Sequence, residues 1–156
     1  VRYLVLIFMA TTLPVTQTIN FGGVQIVNAT GAVSGESGTA VTGLVNVYTT
    51  SANGAIIKSL TVTSSDTAAK IVNLYVYDGS VSWLLGAVSI PAGSGTSSGT
   101  TVNVDLLASP YLIGLPLDSS GKSVLALKAS HILKVGVQAS VSSGKTVSVV
   151  ALVEEF

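Results

Sequence analysis

The chain has 156 residues and little charge. Asp, Glu, Lys and Arg make up 9% of it, against about 25% in an ordinary soluble domain. It has no cysteine, which excludes a disulfide framework, a thiolate zinc site and a cysteine nucleophile. Its single histidine, His131, cannot make a His-rich metal site alone. It has one tryptophan and 6% aromatic residues, few for a carbohydrate-cleaving cleft or a sugar platform. Seven basic residues balance seven acidic ones for a formal net charge of zero. The basic set (Arg2, Lys58, Lys70, Lys122, Lys128, Lys134, Lys145) is scattered singly, so the basic stripe that nucleic acid demands is missing.

What the chain does have is Ser, Thr, Gly and Asn laid between short runs of Val, Ile and Leu. Such a surface consists of hydroxyls, amides and exposed apolar atoms. Net charge keeps proteins apart in solution, and this chain has none to spare. The composition suits a protein that lives against neighbours in a shell, filament or lattice. The length fits one domain with a core of its own.

No segment shows helical periodicity. β-Branched residues dominate and turn signals recur roughly every 8–12 residues, the spacing of an all-β sandwich. Strands are expected over Val24–Asn28, Gly43–Thr49, Ala55–Thr63, Ala69–Tyr77, Val81–Ile90, Thr101–Leu107, Ser123–Leu127, His131–Val141 and Lys145–Val153. In the third, Ile56, Leu60 and Val62 share one face, which Lys58 interrupts. In the last, Val147, Val149, Ala151 and Val153 share a face, while Val150 and Leu152 make the other face apolar as well. That marks a central strand or one covered by a partner. Asn53-Gly54, Asp78-Gly79 and Ser142-Ser143-Gly144 read as turns, the latter two as hairpins. The expected fold is an antiparallel two-sheet sandwich, with a jelly roll as the best topology.

Residues 1–23 read as an N-terminal extension or arm, and 24–156 as the sandwich. Tyr3–Ala10 is an apolar run behind Arg2, far short of the about 20 residues that span a bilayer. Three readings stand: an upstream extension before a start at Met9, a strand-forming arm, or part of a secretory signal. Leu13, Val15, Ile19 and Phe21 alternate loosely around Pro14. They form either a first edge strand or an arm that adds to a neighbour's sheet. With Tyr111, in an apolar crossing segment, and Phe156, at the end of Glu154-Glu155-Phe156, they are the candidate assembly contacts.

Motifs for chemistry are weak. Gly121-Lys122-Ser123 and Gly144-Lys145-Thr146 resemble the end of a phosphate loop. The required earlier glycine is replaced by Pro116 and Ala139, and both strings precede strands. No Gly-x-Ser-x-Gly elbow accompanies His131. Asp66, Asp78 and Asp118 sit in turn contexts, where Asp caps its own backbone. Asn28-Ala29-Thr30 is a formal glycosylation sequon. No catalytic residue, metal or cofactor is expected.

A series of segments carries a resemblance. It runs from Ala52-Asn53-Gly54 and Ile57-Lys58-Ser59-Leu60, through Thr63-Ser64-Ser65-Asp66-Thr67-Ala68-Ala69-Lys70, to Leu74-Tyr75-Val76-Tyr77-Asp78-Gly79. It continues with Leu84-Leu85-Gly86, Ile90-Pro91-Ala92-Gly93, Leu115-Pro116-Leu117-Asp118, Leu133-Lys134-Val135-Gly136-Val137 and Lys145–Ala151. Over residues 40–156 this order resembles the jelly-roll decoration or cement proteins of tailed-phage heads. The resemblance implies a non-enzymatic protein on the outer surface of the virion capsid, bound to the major capsid protein and to itself as a dimer or trimer. Neither nucleic acid nor membrane is expected as a partner. Two other expectations compete. One is a secreted filament or surface-layer subunit assembled by strand donation through residues 1–23. The other is a glycan-binding module built on exposed aromatics.

Overall fold

In the computed structural model, the structure describes residues 18–96, 102–110, 112 and 114–156. The expected contacts Leu13, Val15 and Tyr111 lie outside the described residues. Among the described residues nine strands run in chain order: β1 (Thr18–Ile26), β2 (Val45–Thr49), β3 (Ala55–Ser64), β4 (Lys70–Tyr77), β5 (Ser82–Ile90), β6 (Val104–Asp105), β7 (Leu125–Leu127), β8 (Ile132–Val137) and β9 (Val147–Glu155). A single 3-10 turn, Asn28–Thr30, follows β1.

The strands form two antiparallel sheets packed face to face, as the patterning predicts. The first has the order β1-β9-β3-β6, with β7 also on β3, and the second the order β2-β8-β4-β5. Only β4 and β5 are joined as a hairpin within one sheet; β1 to β4 alternate between sheets, as do β7 to β9. This is the strand order of a jelly roll. Between the sheets lie the buried side chains of Ile26, Ile57, Leu60, Val62, Val72, Leu74, Leu133, Val135, Val147, Val149, Ala151 and Val153. β9 lies between β1 and β3, the central position that its two apolar faces suggest.

Several boundaries differ from the sequence reading. β1 begins at Thr18 and crosses the expected arm–sandwich boundary at 23/24; all nine of its residues pair with β9 of the same chain. Of the expected Thr101–Leu107 strand, the described residues form a strand only over Val104–Asp105. Its ladder stops because the Asp105 carboxylate takes the backbone N–H groups of Leu60 and Leu107. β8 ends at Val137, where Gln138 donates its backbone N–H to Ile71. The Ser142-Ser143-Gly144 turn links β8 in one sheet to β9 in the other, so it is no hairpin.

β3 carries the most consequential correction. Its register against β9 shifts between Ile57 and Ser59, leaving Lys58 as an inserted residue. An inserted residue reverses which side chains face the core. Ala55 and Ile57 therefore point inward before the bulge, and Leu60 and Val62 after it; Ile56 turns outward.

The outer faces of the two sheets are finished differently. Segment 33–43 lies across the second sheet. The Val33 backbone N–H donates to the Val137 carbonyl at 2.7 Å. Gly136 makes this approach possible, since a Cβ there would collide with Val33 and lie 2.8 Å from the Gly43 carbonyl oxygen. Beneath the segment runs a hydrogen-bonded chain. The Gln138 amide donates to Asn73 (3.0 Å), the Asn73 amide to Tyr75 (3.2 Å), and the Tyr75 hydroxyl to the Gly35 carbonyl (3.3 Å). Asn73 and Tyr75 are thereby buried on the outer side of β4 while Val72 and Leu74 are buried on its inner side.

Candidate assembly surface

The outer face of the first sheet has no such cover among the described residues. Alternation along β1 turns Asn20, Gly22, Val24 and Ile26 inward and Ile19, Phe21, Gly23 and Gln25 outward. The register sets Ile19 opposite Glu154, Phe21 opposite Leu152 and Gly23 opposite Val150. On the other side of β9, Ile56 stands opposite Glu154, Ser59 opposite Leu152 and Thr61 opposite Val150. The apolar members form one strip across two strands. Ile19 is 67% exposed, Phe21 74% and Val150 48%. A cleft of about 160 Å³, almost wholly apolar, opens between Ile19, Leu152, Val153, Lys58 and Glu154. Exposed apolar groups gathered in this way mark interaction sites more often than scattered ones do.

Polar groups rim the strip. The Lys58 ammonium, raised by the bulge, lies 3.6 Å from both Asp118 and Glu154. The Asp118 carboxyl is held down at about 2, chiefly by the backbone N–H of Lys122 and by the Ser120 hydroxyl. At the end of β9 the Glu155 carboxylate accepts from the Asn20 amide (2.9 Å) and from the Ser51 backbone (3.1 Å). Its pKa is lowered, first by a hydrogen bond from Tyr48. Tyr48 is raised in turn, by burial first and then by Glu155. These bonds pin the start of β1 to the end of β9 and to β2.

Of the candidate contacts, Ile19 and Phe21 come together on this face. Phe156 is 37% exposed and follows Glu155, which stands opposite Thr18, so it leaves the sheet at the same corner. Val150 and Leu152 belong to the same strip. Their signal in the sequence was the doubly apolar end of β9.

β1 is also a sheet edge, paired on one side only among the described residues. The other edges are blunted. β6 and β7 have two and three residues. β2 is interrupted by a bulge. β5 carries one too, and the Ser37 hydroxyl and Gly38 backbone bond to its Leu84 and Ser82. β1 has nine residues, an unbroken register, no proline and no charge. Edges are normally protected by just those devices. Gly22 seats β1 over the second sheet, because a Cβ there would lie 2.5 Å from the Val47 carbonyl oxygen and 2.8 Å from the Tyr48 ring.

The remaining motifs lie in turns and strand connections. Gly121-Lys122-Ser123 belongs to a turn in which Lys122 and Gly121 bond back to Asp118. Gly144-Lys145-Thr146 closes the turn before β9. His131 gives its backbone carbonyl to Thr50. No cluster of three His, Asp or Glu side chains able to hold a metal occurs among the described residues. Asp66 and Lys70 are a buried pair, 3.3 Å apart, that ties the start of β4 to the 140–142 loop. Lys70 donates to the Ser140 carbonyl, while Asp66 accepts from the Ser142 backbone and hydroxyl. Comparison of the chain with known protein families, with curated proteins and with solved structures gives no match in any of the three.

Proposed function

We propose that this protein is a structural subunit that coats a larger assembly. In particular, it is a decoration or cement protein of a tailed-phage head that lays the outer face of β1, β9 and β3 on the major capsid protein and on its own copies. One observation carries this reading: among the described residues the 33–43 segment lies over Asn73 and Tyr75 on the second sheet, where Ile71, Trp83 and Leu85 stay partly exposed, while the first sheet has no such cover and leaves Ile19 and Phe21 more exposed than any of these, with Val150 beside them. The order of segments over residues 40–156 supports a phage-head setting, and the near absence of charge supports life in contact. A patch of about 1,000 Å² per contact suffices for a specific interface. Repetition over a shell adds avidity. A partner site that exists only in the assembled shell is stabilised by occupancy through mass action.

Binding is read by pelleting the protein with purified, intact heads and imaging them by electron microscopy. Ordered density on the capsid exterior is expected, with binding weakened about tenfold or more by Phe21→Lys or Val150→Lys, both at exposed positions. Intact native heads without density for the chain end the capsid reading. Strand donation by a filament subunit is the second reading. β1 is engaged with its own β9 over its whole length, which favours the coat.

A further inference from the structure

We propose that the edge of β1 left unpaired among the described residues is a self-association site, where two copies pair their β1 strands antiparallel across a twofold axis through Gly22. The two first sheets then become one continuous sheet. This deepens the assembly reading, resting on it only for its biological use, and it names the self-contact.

A free edge offers a row of N–H and C=O groups whose natural complement is another strand. β1 spans nine residues, about 30 Å at strand rise. It lacks the lysine, proline or bulge that would repel a partner. A second copy is the occupant that the strand itself specifies. Pairing Thr18 with the partner's Ile26, and so on through Gly22 on the partner's Gly22, is the register that uses every residue of β1. Residues opposite one another in an antiparallel pair share a face. The register therefore keeps Ile19 and Phe21 on the outer face in both copies and sets each Phe21 against the partner's Gly23. Gly23 has room for this: a Cβ built there meets only ordinary contacts, Val149 O at 3.5 Å and Val150 Cγ2 at 4.0 Å. An aromatic ring over a cross-strand glycine is a recognised way of covering exposed edge backbone. It occurs twice by symmetry. A shift of two residues shortens the ladder at both ends and sets Phe21 against Phe21. Two neutral strands bring no like charges together, and a chain of zero net charge adds no long-range repulsion.

The test uses the full chain with no capsid present. Sedimentation equilibrium is expected to show a concentration-dependent dimer. Gly23→Lys fills the space under the partner's Phe21 with a charged side chain and should weaken the dimer about tenfold or more. Phe21→Lys should do the same, with a wild-type circular dichroism spectrum as the check on folding. Because the chain has no cysteine, F21C and G23C introduce unique thiols. Mixed F21C and G23C chains should form a disulfide-linked heterodimer on oxidation, while F21C alone should not, its thiols being diagonal neighbours about 7–8 Å apart. The proposal is overturned by a monomer at all concentrations, by a dimer indifferent to both lysine variants, or by F21C chains that cross-link to themselves. A monomer whose outward β1 amides are protected from hydrogen exchange also overturns it, and assigns the edge to other residues of the same chain. A dimer that ignores heads sinks only the capsid reading; a monomer that binds them sinks only this one.

Discussion

Asp66 is fully buried and Lys70 nearly so. Burial on its own would raise the Asp66 carboxyl. The Ser142 and Ala68 backbone N–H groups, the Ser142 hydroxyl and Lys70 outweigh it and hold the carboxyl well below the usual range. A carboxylate depressed in the folded state contributes stability above its unfolded value, about 3.9. That contribution is lost as pH falls through the folded value. Melting temperature should therefore drop as pH is lowered from about 5 to about 2, and Asp66→Asn should flatten part of the drop. Asp78 and Asp118, both held at about 2, keep the remainder. At neutral pH the same variant strands Lys70 and should cost roughly 3 kcal/mol; parallel acid melting curves for variant and wild type would contradict this. Gly22→Ala drives a Cβ into the Val47 carbonyl and should destabilise by about 2 kcal/mol in a denaturant titration. Gly23→Ala, with open space, should be nearly silent. The sequence could mark Asp66 as a turn residue, but not as the acceptor for Ser142, 76 positions away. Nor could it separate the roles of two adjacent glycines, since one is decided by the facing sheet and the other by solvent.

Strands are where local pattern speaks most clearly, and β4, β5 and β9 lie close to where alternation and turn residues put them. β3 shows the limit. Ile56 and Ile57 are both apolar, so parity at its start is ambiguous, and only the partner strand reveals Lys58 as inserted. Two variants separate backbone from side chain. Lys58→Ala removes two exposed ion pairs and should cost about 0.5–1 kcal/mol. Deleting Lys58 leaves Ala55, Ile57, Leu60 and Val62 in simple alternation, all still inward, so the core is kept and the cost should stay near that of the lost ion pairs, about 0.5–1 kcal/mol. A loss of about 3 kcal/mol or more on deletion in equilibrium unfolding would show instead that the bulged backbone itself is needed to seat the core. The covering of β4 was equally invisible in the sequence, because it depends on a Gly- and Ser-rich segment meeting Gly136 and Tyr75 across the fold. In hydrogen exchange, β9 and β4, each flanked on both sides, should protect longest.

At the scale of the molecule, composition was legible as low charge, and the jelly-roll order could be anticipated from strand count and spacing. Which outer face would be crossed by the 33–43 segment could not, since that follows from Gly136 and Tyr75 meeting it across the fold. An apolar contact surface on a neutral body makes a distinct prediction. Association with heads should hold or strengthen as salt rises from about 0.1 M to about 1 M, where charge-driven binding would be screened away. Pelleting that collapses at high salt would point to a charged contact instead. The pairing of Thr18 with Glu155 has a practical side. A fusion carried after Phe156 departs beside Ile19, on the rim of the surface proposed to make contact, and would act as a spacer against it. The Asp78–Val81 turn belongs to the opposite sheet, is closed by the Asp78 carboxylate on two backbone N–H groups and on the Trp83 indole, and is exposed at Asp78, Gly79 and Ser80. Cargo grafted there would ride outward while leaving that surface free to dock.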